Sequence, residues 1–344
     1  MNDIYLSYRR GFSASIALAL AHALRAQCCD VFMEANPFDN RDALDLAQIE
    51  AHTHFLVVLT PALIESLQDA NDPMRAEIEH ALSTRRNIVP LLSNGFSFNT
   101  TILPARIAFL RRYYALAVAP ETLSENVATL HERLIKAHFF GTLVPTPPDQ
   151  QQALAERIAD SQNQPLPTSE QLRAEVTFNH ALARARQDHA GKLEDLDSAL
   201  GLNPEHVYAR FERALERRRS GDESGAFEDY SDILKQNPQF YRAYNNRAEL
   251  YFTRGQYDFS FADYEQALAL RPDYSMALAG KALTFYAQGQ VDAALDLWKS
   301  LLEQDERFYD AAWVGREQRL PAAMIDEMQR LNMRLRAPSH ASDN

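Results

Sequence analysis

Apolar and polar positions along the 344 residues follow two different rhythms. Up to about residue 140, short apolar runs alternate with stretches of helical period. Ile4-Tyr-Leu-Ser-Tyr8, Cys29-Asp-Val-Phe-Met33, His54-Phe-Leu-Val-Val-Leu59 and Asn87-Ile-Val-Pro-Leu-Leu92 are too short for helices and read as strands. A weaker strand is expected at Tyr113-Tyr-Ala-Leu116. Helices are expected over Ser13–Gln27, over a segment ending in Met74–Leu82, and over Glu121–Ala137. Strands apolar on both faces, in strict alternation with helices, predict an open, doubly wound parallel sheet of about five strands. Ligands of such sheets collect at the carboxyl ends of the strands, where the strand order reverses. With the order 2-1-3-4-5, Ser7-Tyr8-Arg9-Arg10 and Thr60-Pro61 border that crevice, and the loop Glu34–Asp42 forms its lid.

Residues 142–170 change character: Pro145, Pro147, Pro148, Pro165 and Pro167 bracket a polar Gln/Ala segment, a linker with one short helix expected near 149–160. Beyond it the chain repeats. Pro204, Pro238 and Pro272 are 34 residues apart, as are Gly221, Gly255 and Gly289, and Ala214, Ala248 and Ala282. Tyr230, Tyr264 and Trp298 keep the register, with Leu234, Leu268 and Leu302. A 34-residue helix-turn-helix period is the signature of the tetratricopeptide repeat. Gly closes the turn, Ala lets the two helices approach, the aromatic fills the gap to the next hairpin, and Pro stops the second helix. Three repeats are clear, near 207–238, 241–272 and 275–306. A degenerate one at about 171–204 has Gln187 in the Gly position. Met324, Ile325, Met328, Leu331 and Leu335 form one helical stripe that would cap the last repeat.

The expected organisation is therefore an α/β domain over 1–140, a Pro-rich linker over 141–170 and repeats over 171–306. Capping helices follow over 307–336, then a disordered tail over 337–344.

Net charge of -12 is unevenly spread: residues 1–140 hold 12 basic against 15 acidic side chains, leaving -9 for the remainder. An acidic repeat half argues against nucleic acid as partner. The adjacent Cys28 and Cys29, read as small buried hydrophobes, exclude a disulfide framework and favour a reducing compartment. Asp3 and Arg9-Arg10 sit where a leader peptide would not tolerate them, and no apolar run spans a membrane; the expected location is cytoplasmic. Glycine-rich phosphate loops and His/Cys clusters with metal spacing are missing. His52 and His54 flank a strand and read as structural or exposed residues rather than ligands.

The first 140 residues resemble the bacterial TIR domain family. Ile4-Tyr-Leu-Ser-Tyr-Arg-Arg10 looks like its opening strand, Asp30-Val-Phe32 like its second, and His54–Pro61 like its third. Arg75-Ala-Glu77-Ile78-Glu-His-Ala81-Leu82, followed by Ile88-Val-Pro90-Leu-Leu, resembles the family's third helix and fourth strand. In place of the acidic residue that many of its enzymes carry after the paired arginines stand Gly11-Phe12. Pro73 stands where many carry an aromatic.

The resemblance implies a flavodoxin-like TIR-type sheet followed by an α-solenoid of tetratricopeptide hairpins. It also implies one of two functions. The first is an enzyme cleaving NAD+ at the nicotinamide–ribose bond, with NAD+ as substrate and no further cofactor or metal. Glu77 matches the catalytic glutamate, whose carboxylate would stabilise an oxocarbenium-like ribose. Tyr8, Arg9, Phe38, Asp39 and Thr60 occupy pocket-lining positions; Glu79 reads as solvated. Water capture would give ADP-ribose, capture by adenine a cyclic product. The repeats would bind a protein or peptide, the TIR-like domain would self-associate, and the setting would be a bacterial anti-phage defence effector. The second is a non-catalytic scaffold that self-associates and recruits a client.

Overall fold

The computed structural model describes residues 3–33, 46–137, 141–148, 151–185 and 187–336. The chain forms two compact units, Met1–Ala209 and Arg210–Asn344. In the first, β1 (Asp3–Ser7), α1 (Arg10–Ala26), β2 (Asp30–Phe32), α2 (Leu46–Glu50) and β3 (His54–Leu59) are followed by a 3-10 turn, Pro61–Leu63. Then come α3 (Ile64–Leu67), α4 (Pro73–Ser83), β4 (Asn87–Ser93), β5 (Leu116–Val118), α5 (Leu123–Lys136), α6 (Gln151–Gln162), α7 (Ser169–Ala183) and α8 (His189–Leu202). All strand pairs are parallel, in the order β2-β1-β3-β4-β5. That is the expected flavodoxin-like order, with its reversal between β1 and β3.

Side-chain alternation along β1 divides the core. Ile4 and Leu6 join Val31, Leu56, Val58 and Leu130 in one layer, with α1 and α5. Tyr5 joins Phe55, Val57, Leu67, Met74 and Ile78 in the other, with α3 and α4. Each such side chain, removed wholly from water, contributes about 1.5–3 kcal/mol. β3 has the expected bounds, whereas β5 starts at Leu116 rather than Tyr113. The tyrosine pair that resembled a strand is used otherwise: the Tyr114 ring lies 3.4 Å beneath the Arg133 guanidinium. Cys28 also departs from expectation. It is exposed, with φ of 61°, and ends α1 while the Cys29 N–H bonds back to the Leu24 carbonyl; only Cys29 is buried.

The boundary between the units falls within α9 (Val207–Arg219), the start of the helical pairs α9 with α10 (Glu223–Gln236), α11 (Tyr241–Thr253) with α12 (Tyr257–Leu270), and α13 (Ser275–Ala287) with α14 (Val291–Gln304). Short turns and α15 (Ala311–Trp313) lead to α16 (Ala322–Arg336). The periodic residues have the roles the spacing assigned. Ala214, Ala248, Ala282, Tyr230, Tyr264 and Trp298 have no exposed surface. Gly221, Gly255 and Gly289 have φ between 69° and 87°, a region costly for a side chain. Tyr264 fills the space over Gly280 of the next hairpin, where a Cβ would lie 2.1 Å from its ring. Arg213 with Asp229, and Arg247 with Asp263, form forked ion pairs one period apart. Met324, Met328 and Leu331 of α16 are fully buried, as the stripe foretold.

Candidate active site

α4 is started by chemistry readable in its sequence: Asp72 accepts from the Arg75 N–H at 3.1 Å and Pro73 takes the first helical position. Pro73 therefore serves the helix start. Met74, Ile78 and Ala81 turn one face of α4 into the core, and Glu77 lies on that same face. Glu77 is 1% exposed. Its Oε1 accepts from the Tyr5 hydroxyl at 3.0 Å and its Oε2 from the Ser7 hydroxyl at 2.6 Å. Tyr5 and Ser7 are two residues apart and share a face of β1, and Ser7 is its last residue. The two donors were not anticipated, although a hydroxyl in an otherwise apolar strand end, in step with Tyr5, was the signal. Glu79, two residues on, faces outward and is paired with Arg75 and Arg106.

Arg9 approaches α4 from the other side of the crevice: its Nη1 is 2.7 Å from Asp72 Oδ2, on the carboxylate that caps α4. The Arg9 carbonyl accepts from the N–H groups of Phe12 and Ser13. Ser13, buried and with φ of -149°, breaks the helical path of α1 at that point. Thr60 is fully buried at the end of β3 and heads the turn Pro61–Leu63 without capping it through its side chain; its Oγ1 has no hydrogen-bond partner among the described residues. Tyr8 falls elsewhere. It follows the last residue of β1 and joins the layer of α1 and α5. Phe38 and Asp39 lie outside the described residues. The structure thus gathers Glu77, Arg9 and Thr60 at the carboxyl ends of β1 and β3, with Tyr5 and Ser7 added.

Among the described residues, no group of three His, Cys, Asp or Glu side chains could hold a metal ion, and no helix is long and apolar enough to cross a membrane. His52 and His54 are buried structural residues. The His52 Nδ1 lies 2.6 Å from the Gln48 carbonyl, and burial lowers the pKa of His54.

Sheet order and periodic hairpins define the class: a parallel α/β unit joined to tetratricopeptide-type helical pairs. Residues 241–274 match the family model of the tetratricopeptide repeat. Over its N-terminal part, the chain is similar to the NAD(+) hydrolase tir-1 of Caenorhabditis elegans, 27% identical over 118 residues. That match takes in 32% of this chain and 12% of the relative, so the chain spans about an eighth of that protein. Among solved structures, MamA aligns with 48% of the chain and 98% of its own length at 15% identity and a TM-score of 0.37. YrrB, described as a tetratricopeptide protein with an unusual peptide-binding site, aligns with 48% and 88% at 17% identity and the same TM-score.

Proposed function

We propose that the α/β unit cleaves the nicotinamide–ribose bond of NAD+ and that Glu77 supplies the carboxylate. The observation that carries this reading is the place of Glu77: a buried carboxylate at the switch-point crevice, on the helix capped by Asp72 and tethered to Arg9. The similarity to an NAD(+) hydrolase supports it. As the bond breaks, its electron pair leaves with nicotinamide, neutralising the pyridinium, so no strong acid is needed. The ribose carbon becomes oxocarbenium-like and a carboxylate beside it is worth most where water is excluded. Water then adds to that carbon and loses its proton, giving ADP-ribose. Attack by a ring nitrogen of the substrate's adenine gives a cyclic product instead. Arg9 and the Thr60 hydroxyl are the polar groups we assign to the substrate, with Tyr8, Phe38 and Asp39 as secondary candidates. The repeats would bind a protein or peptide, self-association would run through the α/β unit, and the setting would be a cytoplasmic defence effector.

One observation favours a second reading, a scaffold without catalysis. Both oxygens of Glu77 already have hydroxyl donors and almost no surface, as for a glutamate kept for folding. Nicotinamide release from NAD+ by concentrated full-length protein, beside Glu77→Gln, decides between them. Release that disappears in the variant supports the enzyme, and the second product separates hydrolysis from cyclisation. Absence of release from wild type, with both proteins folded alike, supports the scaffold.

A further inference from the structure

The hairpin α7–α8 is written in the register of the repeats, and its departures from that register fall where it meets α1. Shifted by the 34-residue period, Glu175 occupies the position of Ala209, Ala243 and Ala277, all fully buried. Asn179 occupies the position of Arg213, Arg247 and Lys281; Arg213 and Arg247 each pair with an acid on the partner helix of their own hairpin, and Lys281 pairs with Glu265 on the second helix of the preceding one. Neither replacement serves the hairpin in the same way. Glu175 Oε2 accepts from the Ser15 N–H at 2.7 Å and Oε1 from the Ile16 N–H at 3.2 Å, beside the irregular start of α1. Asn179 Nδ2 donates to the Phe12 carbonyl at 2.7 Å, and the Phe12 and Phe178 rings stack with 6.1 Å between centroids. Gly11 is needed because the Tyr208 ring covers it: a Cβ there would lie 2.9 Å from the ring. α7 also packs against the turn Pro61–Leu63. One helix therefore touches both chain segments that border the crevice, the one after β1 and the one after β3.

We propose that Glu175 is a positioning residue for the candidate site: by clamping residues 9–16 to α7 it holds the arrangement in which Glu77 is buried against Tyr5 and Ser7, and drawing α7 away loosens it. The link runs from the Ser15 and Ile16 N–H groups through the hydrogen-bonded turn at Arg9 to the Arg9–Asp72 pair. From there it passes through the cap of α4 to Glu77. Glu175 touches no reacting atom; it sets how often the carboxylate is reachable. The assignment of a reaction to that carboxylate rests on the function proposed above, but the clamp does not.

The test uses full-length wild type, Glu175→Gln, Asn179→Ala, and Arg173→Ala, which alters an exposed residue of α7. Amide hydrogen exchange is followed by mass spectrometry, and nicotinamide release from NAD+ by chromatography. Glu175→Gln offers an amide donor where an acceptor is required, and Asn179→Ala releases the same segment through another contact. Both variants are expected to speed exchange at least tenfold over residues 9–16 and also over 72–80. Residues 241–304 and Arg173→Ala stay unchanged. Nicotinamide release rises about fivefold or more through a lower KM. Faster exchange confined to 9–16, or release unchanged while wild type is active, overturns the clamp's hold on the site. Coupled exchange in 9–16 and 72–80 with no nicotinamide released by any of the four proteins upholds the clamp and removes the NAD+ reading instead.

Discussion

Glu77 and Glu175 are two glutamates with almost no surface, held by opposite kinds of donor. Side-chain hydroxyls of one strand hold the first, and backbone N–H groups of one helix hold the second. Removing a donor from a buried carboxylate costs about 1–3 kcal/mol. Tyr5→Phe and Ser7→Ala are each expected to lower the Tm of the α/β unit by several degrees in a calorimetric scan. Both tryptophans, Trp298 and Trp313, belong to the second unit, so their fluorescence should not move. Glu175 also makes a pH prediction, in combination with His206. Burial pushes the Glu175 carboxyl from 4.5 up to about 7, against the pull of the Ser15 and Ile16 N–H groups; burial pulls His206, packed on Phe178, from 6.5 down to about 4. Between about pH 4.5 and 6.5 the folded state holds one proton more than the unfolded at Glu175 and one fewer at His206. The two contributions to the slope of stability oppose each other. Glu175→Gln should leave the histidine alone, so protection of α1 amides falls as pH drops through that window, by about 1.4 kcal/mol per pH unit. His206→Gln should give the reverse slope. A parallel pH response in all three proteins would contradict this balance.

At the scale of single elements, two helix positions carry separable costs. Asp72→Ala removes the cap of α4 together with the partner of Arg9, and about 1–2 kcal/mol of stability is expected to go with the cap. Gly280→Ala would drive a methyl group into the Tyr264 ring. Overpacking of that kind costs about 1–3 kcal/mol, and tryptophan fluorescence in a urea titration would report it, since Trp298 and Trp313 lie in that unit. Much at this scale was legible beforehand. Periods of two and of 3.6 residues located the strands and helices, and a period of 34 gave the hairpins, because burial of one face writes a repeat into the chain. β5 was misplaced because two tyrosines beside one another look like a strand whether they join a ladder or lie under an arginine. Motif order pointed to the carboxyl ends of β1 and β3, where Glu77, Arg9 and Thr60 lie. Tyr8 follows the last residue of β1 and joins the layer of α1 and α5, a placement that motif position does not record. Tyr5, Ser7 and Glu175 reach their partners across 72, 70 and 160 residues of chain, and no local pattern records such a pairing.

For the molecule as a whole, the first hairpin and the start of α9 belong with the sheet: Glu175, Asn179 and Phe178 of α7 and Tyr208 of α9 all serve the beginning of α1. A chain ending after Ala209 is expected to fold and keep slow exchange over 9–16. One ending before Thr168 would expose the Phe12 ring and leave the N–H groups of Ser15 and Ile16 without Glu175. Comparative exchange and light scattering on the two fragments would check it, and equal behaviour would refute it. The consequence reaches into how such a protein can diversify. The contacts that fasten the beginning of α1 come from α7 and from Tyr208. A lineage, or a protein engineer, could exchange everything downstream of the junction for an array with another appetite and leave the α/β unit's fastening intact. The first hairpin would then act as a universal coupling, the same plug on many different sensors.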